Sequence, residues 1–299
     1  MRFIDPKTDF AFKKIFGSDR SHAILISFLN NLIYNGDAIV SELEILNPYQ
    51  PPPIAGIKAT YLDVRAKLST GEIVIIEMQV LNVAGFEKRV LYNAAKAYSV
   101  QLDSGASYTT LYPVIALTIT DFNMFPDSPD VMSRFVLKER NRLTDYPSCD
   151  IELIFAELPK FTLSLEQLAS VSDQWLYFIK NAPSLELIPR SMETIPELQQ
   201  AFQIAKESNL NRAELEEMES QQRYIQDQRG SLIKALETGL QQGLQQGLQQ
   251  GLQQGLQQGQ QNEKITIAQR SLPLMDDATI AAITGLSIDE IQALRSPIP

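Results

Sequence analysis

The chain contains very few of the side chains that build most metal and disulfide sites. It has one histidine, His22, and one cysteine, Cys149. Single residues of these types cannot form a zinc finger, a paired-histidine nuclease site or a disulfide. A Ser-His-Asp hydrolase would have to depend on His22 alone. Any catalysis must therefore use carboxylates, lysines or a metal ion bound by oxygen.

Long apolar runs are also missing. No stretch approaches the roughly 18 uninterrupted apolar residues of a membrane span, and the sequence from Met1 to Pro6 reaches charge and proline too early for a signal peptide. We therefore expect a cytoplasmic protein without membrane contact. The net charge of -10 argues against a generic basic nucleic-acid binder. Because most of the negative excess lies after residue 160, this acidity does not exclude a nuclease in the first half.

The patterns along the 299 residues predict four regions. Residues 1–160 mix alternating and helical apolar spacing, as an α/β domain does. Strands are predicted at 60–68, 73–80 and 113–120, and helices at 6–16, 21–34 and 86–102, the first capped by Asp5. A helical region follows at 161–238, a repeat array at 239–262 and a small helical tail at 263–299.

The repeat array begins with five consecutive copies of Gly-Leu-Gln-Gln, residues 239–258, and its leucine row extends upstream to Leu232. In a helix this row would turn about 40° per repeat. Each glycine costs about 1 kcal/mol relative to alanine in a helix, so the array is poorly helical by itself. Two interpretations remain open: a flexible linker, or a helix that self-associates. The tail has a helix-turn-helix outline, but its acidic second helix favours a packing or partner module over DNA contact.

Polar residues interrupt two predicted strands at 60–68 and 73–80. Asp63 shares a strand face with Arg65 and Lys67, and Glu77 and Gln79 share a face in an apolar run. Burying a carboxylate and an amide there is costly unless a partner satisfies them, and a divalent metal would do so. A two-residue hairpin loop would place Asp63 opposite Met78, on the wrong face. A three-residue loop containing Gly71 places Asp63 opposite Glu77 or Gln79, within reach of one Mg²⁺.

An aspartate, a hairpin and then Glu-x-Lys is the pattern of the PD-(D/E)xK nuclease fold, with Gln79 here in the lysine position. The sequence resembles the Rpn family of recombination-promoting nucleases, closely over about residues 1–160 and more loosely afterwards. The resemblance rests on these stretches: Asp5-Pro6-Lys7-Thr8-Asp9-Phe10-Ala11-Phe12-Lys13-Lys14-Ile15-Phe16-Gly17, Phe28-Leu29-Asn30, Glu77-Met78-Gln79, Arg89, Tyr92 and Gly105-Ala106-Ser107-Tyr108. It implies an α/β, restriction-endonuclease-like core with a helical C-terminal extension.

The resemblance also implies a Mg²⁺-dependent DNA endonuclease of recombination or mobile-element biology. Asp63 and Glu77 would ligate the metal together with the Met78 carbonyl. Gln79 has no positive charge, but its amide can orient the attacking water, and reduced activity is expected. Asp9 is a candidate third catalytic acid, or else a carboxylate that stabilises a helix start.

Arg89, Tyr92 and Lys96 recur at helical spacing, and form either a face that contacts the DNA backbone or a solvated face. The leucine row adds the expectation of a homo-oligomer. The alternative function is a nuclease-fold protein with weak or no turnover that serves as a DNA-binding or oligomeric assembly module.

Overall fold

The computed structural model describes residues 2–50, 60–102 and 105–295. The chain divides into two compact units, residues 1–228 and 229–299. In chain order the helices are α1 Asp9–Phe16, α2 His22–Leu32, α3 Phe86–Ser99, α4 Val171–Asn181, α5 Pro196–Ile204, α6 Arg212–Ser271, α7 Asp277–Thr284 and α8 Ile288–Arg295. The strands are β1 Leu43–Leu46, β2 Tyr49–Gln50, β3 Thr60–Tyr61, β4 Val64–Leu68, β5 Ile73–Gln79, β6 Val114–Thr120, β7 Met132–Phe135 and β8 Ile151–Glu157.

A six-stranded mixed sheet forms the centre of the first unit, in the order β1-β4-β5-β6-β8-β7. Strands β5, β6 and β8 are parallel, and the other neighbours in this sheet pair antiparallel. Every residue of β6 is buried, as expected for a parallel strand covered on both faces. Helix α3 connects β5 to β6, which makes a βαβ unit. The predicted mixed α/β fold with a helical C-terminal part is confirmed.

The first helix begins one turn later than predicted. The side chain of Thr8, not of Asp5, caps α1 by accepting from the Ala11 amide. Asp5 instead accepts from the Lys7 amide at 3.1 Å, and its carbonyl accepts from the Thr8 amide at 3.1 Å. These two bonds fold residues 5–8 into a turn, because a short acidic side chain competes with the backbone for its own amides.

One face of the sheet packs against α1 and α2 together with α4 and α5. Trp175 of α4 contacts the rings of Phe16 and Phe28, and Phe178 lies edge-on to Phe202 of α5. All five of these side chains belong to one hydrophobic core and are fully buried. The predicted division after residue 160 therefore does not separate compact units, since the helices that follow complete the core of the sheet domain.

The opposite face is covered by α3. Its buried stripe, which includes Phe86, Val90, Ala94 and Ala97, packs on the apolar residues of β5, β6 and β8. This packing fixes the rotation of α3 about its axis. The face of α3 beside this stripe therefore points toward the C-terminal end of β5, where Glu77 and Gln79 lie.

The second unit contains the repeat array as part of the continuous helix α6. The leucines from Leu232 to Leu256 at four-residue spacing are 48% to 74% exposed, and a Cβ added at any array glycine would meet nothing within 4 Å. Helices α7 and α8 form a small core with the end of α6, built on Ala268, Ile280, Leu286 and Ile291. The predicted capping box is present, since Glu290 accepts from the Ser287 amide at 2.7 Å.

No helix among the described residues is long and apolar enough to cross a membrane.

Candidate active site

The hairpin between β4 and β5 has the register that brings the predicted acids together. Val64 pairs with Ile76 and Lys67 with Ile73, so continuing the register places Asp63 opposite Glu77. The loop has three residues, and Gly71 adopts a φ of 102°, which side chains rarely tolerate. An added Cβ at Gly71 would lie 2.1 Å from the ring of Tyr112. The odd-length loop that the predicted metal site requires is therefore present, and Glu77 rather than Gln79 lies opposite Asp63.

Asp63 lies just before β4 and extends the hairpin through its side chain. Its Oδ2 accepts from the Met78 amide at 2.7 Å, and its Oδ1 lies 3.6 Å from the ammonium of Lys13 on α1. Burial, the largest cause, and the negative charge of Asp9 raise the pKa of the Asp63 carboxyl, which is about 7. The Met78 bond and Lys13 act in the opposite direction without overcoming the burial.

Glu77 projects from β5 into the same region and contacts α3. Its Oε1 accepts from the Asn93 side-chain amide at 3.0 Å and lies 4.0 Å from Nε of Arg89. Burial raises the pKa of the Glu77 carboxyl, while Arg89 and Asn93 favour its charged form. Two carboxylates whose charged forms are disfavoured by burial make this a place where a cation would be strongly attracted.

Gln79 is held at both ends of its side-chain amide. Its Nε2 donates to the Leu81 carbonyl at 2.6 Å, and its Oε1 accepts from Nη2 of Arg89. Arg89 is in turn stacked over the ring of Phe86, with its guanidinium carbon 5.1 Å from the ring centroid. The amide therefore has a fixed orientation beside Glu77.

These residues line one open cleft of about 820 Å³. Of the residues predicted from sequence, the cleft brings together Asp9, Asp63, Glu77, Met78, Gln79, Arg89 and Tyr92. Lys96 is not among the residues that line it and is only 5% exposed. The structure therefore does not place Lys96 with Arg89 and Tyr92 on an accessible face, because Lys96 belongs to the buried face of α3.

Two further residues contact the acids and were not predicted from the sequence, Asn93 and Lys13. Asn93 follows Tyr92 directly and belongs to the buried stripe of α3, so an amide in an apolar row was the available signal. Its Oδ1 is buried without a hydrogen-bond partner. Lys13 lies one helical turn after Asp9, which was the corresponding signal on α1.

The donor set fits a hard divalent cation. The oxygens come from Asp63, just before β4, and from Glu77 on the neighbouring strand β5. The Met78 carbonyl faces the same side as its amide, which Asp63 binds. No group of three or more histidine, cysteine, aspartate or glutamate side chains able to hold a metal occurs in residues 2–50, 60–102 and 105–295. Two carboxylates, a carbonyl and water match the usual Mg²⁺ environment, in which several waters are kept.

A family model described as PD-(D/E)XK nuclease family transposase matches residues 6–235 of the chain. No curated protein and no solved structure matches the chain. The matched range includes α1 to α5, the sheet and the first part of α6. It ends before the five Gly-Leu-Gln-Gln copies, so the match does not depend on the repeat.

Proposed function

Since the chain belongs to the PD-(D/E)XK nuclease family of transposases, we propose that it is a Mg²⁺-dependent DNA endonuclease that acts in recombination or mobile-element biology in the cytoplasm. The observation that carries this proposal is the convergence of Asp63 and Glu77 across one hairpin at the base of an open cleft. PD-(D/E)XK nucleases usually use divalent metals, and the choice of Mg²⁺ rests on the oxygen-only donor set.

In this proposal Asp63 and Glu77 hold the metal, and the Met78 carbonyl completes the protein ligands. Bound Mg²⁺ would lower the pKa of a coordinated water and stabilise negative charge on the phosphate. Asn93 and Arg89 fix the orientation of Glu77 through its Oε1, which supports this ligand geometry from α3.

The remaining cleft residues would act on water and substrate. Gln79 orients the attacking water through the second hydrogen of its amide, since the first is used by Leu81. Arg89 and Tyr92, both partly exposed on the cleft wall, contact the DNA backbone. Asp9 is the third acid and approaches Asp63 from α1.

Plasmid cleavage with and without Mg²⁺ tests the proposal. The wild-type protein should nick or linearise supercoiled DNA only with the metal, and Asp63→Ala should not. Asp130→Ala is a matched control, because it removes an exposed carboxylate that does not line the cleft. Equal metal-dependent cutting by wild type and Asp63→Ala would show that the assigned site is wrong.

A second candidate is a nuclease-fold protein with little or no turnover that binds DNA or assembles with copies of itself. The uncharged Gln79 in the lysine position is the observation that favours it. A folded wild type that binds DNA but does not cut it with any divalent metal would support this candidate over the first.

We also propose that the repeat array associates with the same array of another copy. Its leucine and glycine rows both have four-residue spacing, and rows of this spacing interlock when two helices cross at about -50°. Residues 239–262 carry no charged side chain, so two arrays can approach without the repulsion that the net charge of -10 would otherwise impose.

A further inference from the structure

The proposed active site lacks a cation at Gln79, where the fold pattern has lysine. Among the described residues, two cations form ion pairs with the paired acids: Arg89 with Glu77 and Lys13 with Asp63. Arg89 is held in one position by local contacts, since it donates to Gln79 and stacks on Phe86. Lys13 has one ion pair, at 3.6 Å from Asp63, and its side chain is 44% exposed.

The packing of α1 explains why Lys13 reaches the site. Ala11, Phe12, Ile15 and Phe16 are fully buried, which leaves Asp9 and Lys13 together on the exposed face, four residues apart. The end of α1 approaches β4 closely at Gly17, where an added Cβ would lie 3.5 Å from Cγ2 of Val64. Because Val64 directly follows Asp63, this close approach places the last turn of α1 beside the Asp63 carboxylate.

The neighbouring lysine of α1 has a different environment. Lys14 forms an ion pair with Glu214 of α6 and lies over the ring of Phe10, 5.7 Å from its centroid. Its side chain is 25% exposed, compared with 44% for Lys13. The two adjacent lysines therefore have the same chemistry, but only Lys13 pairs with an acid of the cleft.

We propose that Lys13 contacts the scissile phosphate and supplies the positive charge that this active site lacks at Gln79. This inference rests on the proposed nuclease function. A partly exposed ion pair is weak, so the ammonium can exchange Asp63 for a phosphate oxygen bound beside it. A lysine on a flexible four-carbon stem acts as a point charge and can make this move, whereas the stacked guanidinium of Arg89 is held in place.

The test compares Lys13→Met with Lys14→Met. Methionine keeps most of the apolar stem and removes the charge, and Lys14→Met also reports what the loss of a lysine from α1 does to folding. Two measurements are made on each protein: the rate of supercoiled plasmid cleavage in Mg²⁺, and the salt dependence of binding to a 30-base-pair duplex in EDTA. Circular dichroism confirms the fold of each variant.

Lys13→Met should lose cleavage on the order of 10²-fold, the effect of removing one group that stabilises transition-state charge. The slope of log K against log salt should become shallower by about 1, because one phosphate contact is lost. Lys14→Met should change neither quantity by a comparable amount. Adding Gln79→Lys to Lys13→Met should restore much of the cleavage, because the charge returns from the other side of the site.

Equal cleavage and equal salt slopes in the two methionine variants would overturn the inference. If the double variant stays as slow as Lys13→Met, Lys13 does not substitute for the missing cation. If the wild type does not cut DNA, the proposed function fails. The salt slope then decides alone: a slope shallower only in Lys13→Met supports the phosphate contact, and unchanged slopes refute it.

Discussion

The cleft of the first unit and the repeat helix of the second unit, which is the part of α6 that contains the repeat array, differ in which residues they bury. The cleft buries charged side chains, and the repeat helix exposes apolar ones. In the cleft, Asp63 and Glu77 are nearly buried: Asp63 has partners on β5 and α1, and Glu77 has two partners on α3. In the repeat helix, Leu240, Leu244 and Leu248 are each more than 70% exposed and the glycines between them have no neighbour. Charged groups lie inside the protein in one unit, and apolar groups lie in solvent in the other.

The difference shows where each unit obtains its stabilisation. In the first unit, a large shared core of rings and aliphatic chains offsets the free-energy cost of burying two carboxylates. The repeat helix has no such core over the array, and its glycines cost about 1 kcal/mol each relative to alanine. The proposed metal site therefore needs only a cation from outside the chain, whereas the proposed association would give the array a second apolar surface.

The largest effect should follow from removing an acid of the cleft. Glu77→Ala should abolish Mg²⁺-dependent plasmid cleavage, by at least roughly 10³-fold, because it removes a metal ligand and the group that Asn93 and Arg89 position. The variant should remain folded, since it also removes a buried charge. Glu87→Ala is the control, because it removes an exposed carboxylate from the first turn of α3. Mg²⁺-dependent cleavage by Glu77→Ala at the wild-type rate would refute Glu77 as a metal ligand.

The next effect concerns stability and pH in metal-free buffer. The Asp63 pKa is raised from 3.8 to about 7, so its protonated form is favoured by the fold. The stability that this carboxyl contributes is complete below about pH 4 and is lost as the pH rises through about 7. Asp63→Asn should therefore be more stable than wild type at pH 8 by roughly 2–4 kcal/mol, with little difference near pH 4. The free energies of unfolding of the two proteins, measured in urea at both pH values, test this prediction.

The matched control for that experiment is Asp130→Asn, an exposed position. A stability difference for Asp63→Asn that does not change with pH would show that Asp63 is already ionised in the metal-free protein. In that case burial would raise the pKa of the Asp63 carboxyl less than its low exposure indicates.

A smaller effect is expected at Gln79. Gln79→Lys should keep wild-type cleavage or raise it up to about tenfold, because it returns a cation to the position where the fold pattern has one. The substitution also removes the bond from Arg89 to Gln79, which limits the gain. Gln79→Met provides a side chain of similar length without the charge or the amide. A folded but inactive lysine variant would show that the amide has a role that lysine cannot fill.

The smallest effect on cleavage should come from the array. Deleting residues 239–258 should lower the molar mass per particle in light scattering while the first unit stays folded and keeps its cleavage rate. A second variant with glutamine at Leu240, Leu244, Leu248, Leu252 and Leu256 keeps the length and the glycines. It should have the same effect, since each buried leucine would contribute about 2 kcal/mol to association. If the molar mass per particle falls only by the mass of the deleted residues, the array is a linker.

The sequence by itself determined the features that depend on neighbouring residues. Alternation along residues 60–80 predicted both strands of the hairpin, and an odd-length loop placed Asp63 opposite Glu77 or Gln79. The observed register selects Glu77. The capping box at Ser287 and Glu290 was equally readable. The first helix start was wrong, because Asp5 and Thr8 are both good caps and only the turn at Lys7 distinguishes them.

Only the tertiary structure decided which distant residues complete the cleft. Asn93 reaches Glu77 because the apolar stripe of α3 sets its rotation on the sheet, and the same packing leaves Lys96 covered. Lys13 and Lys14 are adjacent and chemically identical, yet Lys13 lies at Asp63, where α1 approaches β4 at Gly17, while Glu214 binds Lys14. Local patterns determine which face a residue occupies, but long-range packing determines what that face meets.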